Sequence, residues 1–289
     1  RADDASATPQ PAPAPQAASW IRQAMSGRSP TTHRLGGGRR AECAMGKVET
    51  RNPNGYYVRL SEDALVQVVL AGLEAYCVEH AHDGRRRFGV ETYGSLWGHQ
   101  VRSNGDGPTI YCVEQVGIDT SAERDRYSVH PSSEALTLKR EVMASLWPQY
   151  DFLGDVHTHP FNHMSEVTGP QRGFSQIDID DIVSHSAYWE NHGYRVGMVL
   201  SIAWMKRATP DPKVEIVDDT TVCVTLKNVR MWLKACVAYR VQEGLPDMEV
   251  TDRSVVLDCP ALTGLNLHYG PMGKVATGRK RKYVPAENA

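Results

Sequence analysis

The sequence lacks the features that mark membrane-spanning, secreted or nucleic-acid-binding chains. No apolar run approaches the roughly 18 residues that a transmembrane helix needs. Residues 1–20 contain no apolar core of a secretory signal. The formal net charge is only −2 over 289 residues, so the surface is not broadly basic. We therefore predict a cytoplasmic protein that binds neither membranes nor nucleic acids.

The six cysteines form no C-x-x-C pair and no close cluster. This spacing argues against a structural zinc site of the knuckle type. Most of the cysteines lie in apolar stretches, as buried free thiols do. We therefore expect reduced cysteines, in keeping with a cytoplasmic location.

Composition divides the chain into three parts. Residues 1–52 are rich in Ala, Pro, Ser, Gly and Arg and show little apolar periodicity. They are predicted to be a disordered leader, because such a segment cannot bury enough surface to fold alone. Residues 53–245 carry periodic apolar patterns and are the predicted folded domain. Residues 246–289 are a predicted C-terminal extension ending in the basic tail GRKRKYVPAENA.

Apolar spacing in the predicted domain indicates alternating helices and strands. A helix begins after its N-cap Ser61, and we expect His80 and His82 to be exposed at its end. Further helices are predicted in SSEALTLKREVMASLWPQY, QIDIDDIVSHSAYWENHG and NVRMWLKACVAYRVQEG. Strands are predicted in FGVETYGSLWGHQV, which carries Glu91, and in TIYCVEQVGI, DFLGDVHTH, RVGMVLSIAWM and KVEIVDDTTVCVTL. This order predicts a mixed α/β fold in which helices flank a sheet.

Two histidines stand two residues apart at the end of the predicted strand DFLGDVHTH. Residues i and i+2 of a strand point to the same face, so His157 and His159 present two imidazoles side by side, half of a tetrahedral zinc site. Because Pro160 ends the strand, another segment must supply a third ligand. The histidines without such partner spacing are read as structural: His99, His130, His185 and His192.

Three aspartates near the start of the following helix could supply that ligand, namely Asp178, Asp180 and Asp181. A catalytic zinc ion takes three protein ligands and keeps one position for water, so one aspartate is enough. Successive helical side chains turn by roughly 100°, so Asp180 and Asp181 cannot share the direction of Asp178. The alternative is that all three only place negative charge at a helix N-terminus.

Glu91 is the candidate for the base that a hydrolytic zinc site needs. Zinc lowers the pKa of its bound water, but a side chain must still take and deliver protons. Glu91 is an isolated acid in a largely apolar strand, and Gly94 and Gly98 allow close backbone approach beside it. The alternative is a surface glutamate on a half-exposed strand.

These segments together match a known pattern. Glu91 opens ETYGSLWG, and HTHP and SQID follow it in that order. The set resembles the JAMM motif of the MPN+ (JAB-type) zinc metallopeptidases, in their bacterial deubiquitinase-like branch, and the resemblance spans residues 56–205. It implies the MPN/JAB (cytidine deaminase-like) fold, a central curved and mainly antiparallel sheet flanked by helices, for residues 53–245.

The resemblance also implies roles for five residues. His157, His159 and Asp178 would bind one catalytic Zn²⁺ ion. Glu91 would hold and deprotonate the zinc-bound water and then protonate the leaving amine. Ser175 would donate a hydrogen bond to the oxyanion of the tetrahedral intermediate. No covalent intermediate is needed, so the cysteines have no catalytic part.

The segment between His159 and Ser175 departs from the family's pattern. It contains fifteen residues, PFNHMSEVTGPQRGF. The family's usual spacing would select Val167 and Pro170, neither of which can bind zinc or donate to an oxyanion. We therefore predict an insertion. His163 within it is either an exposed loop histidine or a residue that contacts substrate or competes as a ligand.

Members of this family most often hydrolyse the isopeptide bond between the C-terminal glycine of a ubiquitin-like protein and a lysine. The resemblance thus predicts a zinc isopeptidase or processing peptidase that acts on a ubiquitin-like protein or its conjugates. E1/E2-like conjugation proteins are the further expected partners, because bacterial relatives act beside such components. Two alternatives stay open, a zinc amidase for a small peptide or sulfur-carrier protein and a non-catalytic MPN scaffold.

Overall fold

A computed structural model describes most of the chain beyond residue 53. The described residues are 52, 54–82, 85–102, 107–169, 172–184, 193–240, 248–251, 254–263, 273–277 and 281–286. Apart from Asn52, the predicted leader lies outside them, and so do His185 and His192.

The described residues form four α-helices, one 3₁₀ turn and sixteen strands. The helices are α1 Glu62–Cys77, α2 Ser133–Leu146, α3 Gln176–Ser184 and α4 Pro260–Thr263, and the 3₁₀ turn is Met164–Glu166. The first eight strands are β1 Tyr56–Leu60, β2 His80–His82, β3 Arg85–Arg87, β4 Tyr93–Arg102, β5 Thr109–Ile118, β6 Glu123–Arg124, β7 Val129–His130 and β8 Asp151–Pro160. The others are β9 Tyr194–Trp204, β10 Lys213–Asp218, β11 Thr221–Leu226, β12 Val229–Arg240, β13 Met248–Thr251, β14 Val255–Asp258, β15 Lys274–Thr277 and β16 Arg281–Val284.

One large curled sheet dominates the molecule. Its strand order is β10-β11-β12-β9-β8-β4-β5-β1-β14, and β13 also pairs with β12. The pairs β1–β14, β1–β5 and β8–β9 are parallel, and the other pairs are antiparallel. The mixed α/β class is therefore confirmed.

Helix α1 packs on one face of this sheet as the apolar spacing predicts. The Ser61 side chain accepts the Ala64 N–H, which confirms the predicted N-cap. The inward residues are buried, and a Cβ on Gly72 would lie 2.6 Å from the Leu200 side chain, so helix and sheet approach closely there. His80 and His82 do not extend this helix. It ends at Cys77, and they form strand β2.

Strand β12 corrects the sequence prediction, which assigned NVRMWLKACVAYRVQEG to a helix. Val229–Arg240 lies in the sheet between β9 and β11. Side chains from both of its faces are buried. A strand buried on both faces reads as a continuous apolar run, and periodicity alone cannot separate it from a buried helix. One face of the strand joins the main core through Met231, Leu233, Ala235, Val237 and Tyr239. The other face joins two smaller clusters, one through Cys236 and Ala238 and the other through Trp232.

A second correction concerns KVEIVDDTTVCVTL, which was expected to be one strand. It forms the antiparallel pair β10 and β11. The Asp218 carboxylate accepts hydrogen bonds from the backbone N–H of Thr220 at 2.9 Å and from its hydroxyl at 2.7 Å. These hydrogen bonds stabilise the turn at which the chain reverses direction between β10 and β11. The segment is rich in β-branched residues, so its sequence resembles one continuous strand.

The described part of the predicted C-terminal extension shares the sheet and the core with the rest of the chain. Strand β14 pairs with β1, and β13 pairs with β12. Val255, Leu257 and Cys259 are buried in the main core. The domain limits at residues 52 and 245 stay predictions.

Two expectations from the sequence concern membrane-spanning helices and the state of the cysteines. Within them, no helix combines the length and apolarity that crossing a bilayer requires. The five cysteines in these ranges are free thiols, and four of them are buried: Cys77, Cys223, Cys236 and Cys259. The expectation of unpaired, mostly buried thiols is therefore confirmed for these five.

Candidate metal centre

The order β8–α3–β9 brings the predicted ligands together. Strands β8 and β9 are parallel neighbours, so the chain must cross over between them, and α3 is part of that crossover. His157 and His159 lie near the C-terminal end of β8, and Asp178 lies in the first turn of α3. The crossover thus places the start of α3 beside the end of β8.

Donor atoms of three residues meet at this point. The Nε2 atoms of His157 and His159 are 3.0 Å apart. They lie 3.3 Å and 3.4 Å from the two carboxylate oxygens of Asp178. Ligands about 2.0–2.1 Å from a tetrahedral zinc ion are separated by roughly 3.3 Å. The donor set therefore fits zinc in both chemistry and spacing.

Ser175 and Asp178 form a reciprocal capping pair at the start of α3. The Ser175 N–H donates to Asp178 Oδ2 at 2.5 Å, and the Asp178 N–H donates to Ser175 Oγ at 3.2 Å. The S-x-x-D spacing is thus a helix cap, which fixes the carboxylate before any metal binds. Capping and metal binding are compatible here, since the two carboxylate oxygens can serve both. Asp180 bonds instead with Gln176 on the exposed side of the helix.

Glu91 lines the same site, but it does not lie in the strand to which the sequence assigned it. It precedes β4 rather than lying inside it, and its N–H donates to the Asp125 carbonyl at 2.7 Å. The next residue, Thr92, donates to Thr158 Oγ1 at 2.9 Å and accepts from the Thr158 N–H at 3.0 Å. Because Thr158 lies between the two histidines, this double link holds Glu91 beside them. Only 8% of Glu91 is exposed.

Burial and neighbouring charges shift the acid–base properties of the metal-free site. Burial raises the pKa of Glu91 to about 8, although the charge of His157 opposes the shift. Burial would also raise the pKa of Asp178, but hydrogen bonds and charge from both imidazoles lower it far below its ordinary value. The pKa of His157 is raised because Asp178 outweighs its burial, while burial lowers the pKa of His159. Asp178 is therefore an anion, and the Glu91 carboxyl group can be protonated or ionised near neutral pH.

All five predicted site residues line one cavity of about 760 Å³. Its walls come mainly from three stretches of chain, 126–131, 155–162 and 173–182, and Glu91, Tyr93 and Glu166 also line it. His130, which the sequence left as structural, is part of the first wall.

His163 is not among the residues that line this cavity. Its ring lies edge-on to Trp204 with centroids 5.1 Å apart, and its Nδ1 accepts the Ser165 N–H at 3.1 Å. Three neighbours in the predicted insertion pack on the apolar cluster of Ala203, Cys223 and Trp232: Phe161, Met164 and Val167. The insertion is thus anchored to the sheet, and a substrate contact by His163 stays a prediction.

Sequence reasoning missed a buried ion pair behind the site. Arg195 on β9 donates from Nε to Asp155 Oδ1 at 2.8 Å, and its Nη2 lies 2.6 Å from the same oxygen. Its Nη1 donates to the Ile182 carbonyl at 3.2 Å. Arg195 thus ties α3 to the strand that carries the histidines. The charge of Arg195 in the otherwise apolar run RVGMVLSIAWM could have indicated a buried ion pair, but its partner Asp155 lies 40 residues away in the sequence.

Comparisons with known proteins add no family assignment. No family model and no curated protein matches the chain. Among solved structures, the solution structure of protein DSY2949 from Desulfitobacterium hafniense is similar at 13% sequence identity and a TM-score of 0.33, covering 73% of this chain and 99% of that one. A likeness at this TM-score supports no statement about fold or function.

Proposed function

We propose that the protein is a cytoplasmic zinc-dependent isopeptidase or peptidase with the MPN/JAB fold, which cleaves after the C-terminal glycine of a ubiquitin-like protein. The supporting observation is that three metal-type ligands 3.0–3.4 Å apart share one cavity with a buried glutamate. The substrate class rests on the resemblance of ETYGSLWG, HTHP and SQID to the JAMM motif.

His157, His159 and Asp178 would hold the zinc ion. When bound, it would polarise the scissile carbonyl and activate water for attack. Glu91 would take a proton from the attacking water and pass it to the leaving amine. A buried carboxyl group beside the metal ligands can serve in both steps, because it can accept a proton and then donate it.

Ser175 has the hydrogen-bonding capacity that an oxyanion donor needs. Its Oγ already accepts the Asp178 N–H, which leaves the hydroxyl proton free to donate. Ser175 is exposed and lines the cavity, so a developing oxyanion beside the metal ligands would be within the reach of that hydroxyl. The same side chain would then cap α3 and stabilise the transition state.

An extended glycine-rich tail would suit this cavity of about 760 Å³. The segment 126–131 and the start of α3 both line it, together with His157 and His159. Gly-Gly residues carry no side chains, so a substrate backbone can approach the donor atoms closely. A processed precursor and a lysine conjugate present the same tail, and both would be substrates.

A defined isopeptide substrate tests this function. A peptide ending in Gly-Gly, joined to the lysine Nζ of a second peptide, is incubated with the zinc-loaded protein. We expect cleavage after the second glycine, loss of cleavage with a chelator and recovery with added zinc. The matched control is free Gly-Lys dipeptide. Cleavage of the dipeptide alone would favour the amidase alternative, and a protein that binds no zinc would favour the scaffold.

A further inference from the structure

A second group of metal-ligating side chains lies away from the candidate centre. His99 on β4 and Cys112 and Glu114 on β5 bring one nitrogen, one sulfur and one oxygen to within 4.8 Å of one another. Tyr93, which pairs with His157, is six residues before His99 on the same strand. This spacing corresponds to roughly 20 Å along an extended strand. The two groups of ligands are therefore separate.

The sheet itself builds this second group. His99 and Cys112 are direct partners in the antiparallel pair of β4 and β5. Cys112 and Glu114 flank buried Val113, so both side chains face the opposite, accessible side of the sheet. The register passes from Gln115 to Val113, which makes Glu114 the extra residue of a bulge without a partner on β4. The geometry of two paired strands thus fixes all three positions.

The three side chains are available for a ligand. Within the described part of the chain, none of them forms a hydrogen bond or ion pair through its side chain. Arg59 is an ionic neighbour of this group: it is the β1 partner of Cys112, and its Nε donates to Asp258 at 2.7 Å. Glu114 and Asp258 together carry one more negative charge than Arg59, and burial raises the pKa of the Cys112 thiol. A divalent cation would offset the negative charge and would have to displace the thiol proton as it binds.

We propose that His99, Cys112 and Glu114 bind a second divalent cation of the zinc type. A nitrogen, a thiolate and a carboxylate oxygen form a ligand set that suits zinc better than magnesium or calcium, which prefer oxygen alone. Tetrahedral zinc needs ligand atoms roughly 3.3–3.6 Å apart, so rotation of these accessible side chains must close the remaining distance. The ion would link β4 to β5 and keep a fourth position open to solvent.

Cobalt(II) gives a test that separates the two sites. A thiolate ligand produces a sulfur-to-cobalt charge-transfer absorption, and His157, His159 and Asp178 offer no sulfur. We expect the zinc-free wild-type protein, kept reduced with a phosphine, to bind cobalt with this absorption. C112S should abolish the absorption and one equivalent of cobalt, and H99Q should weaken binding at this site by roughly tenfold or more. D178A should retain the absorption.

The surface variant H80A is the matched control and should behave as the wild type. An absorption that survives C112S, or its absence from the wild-type protein, would overturn the proposal. Because D178A removes only the first site, this result is independent of whether the protein proves to be a peptidase. Circular dichroism of C112S would show that a lost absorption does not come from unfolding.

Discussion

The two groups of metal-ligating side chains differ in their surroundings more than in their donors. At the first, two nitrogens and a carboxylate lie 3.0–3.4 Å apart beside a glutamate that is 8% exposed. At the second, His99, Cys112 and Glu114 lie on an accessible sheet face beside an exposed ion pair. Donor atoms alone can bind a cation, but hydrolysis also needs a held base and a substrate cavity. Within the described residues, only the first group lies beside a buried carboxyl group and a cavity of about 760 Å³.

Removing the third ligand should give the largest effect. D178A should lose metal at the first site and all measurable cleavage, because two imidazoles alone leave the site incomplete. It should also lose the α3 cap, at a cost of about 1 kcal/mol. Zinc stoichiometry by equilibrium dialysis and an isopeptide cleavage assay measure both. D180A, two residues along the same helix, is the control, and a comparable loss in D180A would mean that general negative charge matters instead.

Removing the hydroxyl of Ser175 should give a smaller effect on activity than the loss of the metal ligand. S175A should lower kcat by about 10²–10³ if the hydroxyl donates to the oxyanion. S175T keeps both the hydroxyl and the cap, and it should retain most of the activity. Thermal unfolding of the two variants separates the capping role from the catalytic one. Equal kcat values for S175A and the wild type would leave Ser175 as a cap only.

The buried pair of Arg195 and Asp155 should matter through stability. R195M leaves the buried Asp155 carboxylate without its cation and should destabilise the fold by about 3–5 kcal/mol. The double variant R195M/D155N should lose less stability than the two single variants combined. Urea unfolding of the four proteins in the cycle gives the coupling energy. Strict additivity would show that the pair does not act as a unit.

The smallest effect is a trend with pH in the metal-free protein. The pKa of Glu91 is about 8 in the folded state, above the roughly 4.3 of an unfolded glutamate. The folded state therefore binds the proton more tightly, so the stability that Glu91 contributes is complete below pH 4.3 and is lost as pH rises towards 8. As pH rises across that window, the free energy of unfolding of E91Q should increase relative to that of the wild type by on the order of 1–3 kcal/mol. Urea unfolding with a chelator at several pH values measures it, and a difference independent of pH would contradict the assignment.

The sequence predicted the elements whose periodicity is visible locally. Helix α1 follows from one apolar face and its Ser61 cap, and β8 follows from an apolar run that ends in Pro160. The S-x-x-D pattern located both the start of α3 and the aspartate that faces the histidines. Side-chain direction was enough for the helix and the strand, whereas the choice of Asp178 over Asp180 and Asp181 came from the resemblance of SQID to the JAMM motif.

Features that depend on which strands become neighbours could not be predicted. The β12 segment is apolar on both faces, so its pattern did not distinguish strand from helix. Arg195 and Asp155 meet only because β8 and β9 are adjacent. His99 and Cys112 face each other only in one register of β4 and β5. Each of these contacts requires tertiary information that local spacing does not contain.

The most direct measurement compares zinc content and cleavage in E91Q and wild-type protein. Glutamine keeps the size of the side chain but cannot exchange the proton, so E91Q should bind zinc at the first site as the wild type does. Its rate of isopeptide cleavage should fall by about 10²–10⁴. Wild-type cleavage by E91Q with full zinc occupancy would contradict the assignment of Glu91 as the proton carrier beside the metal centre.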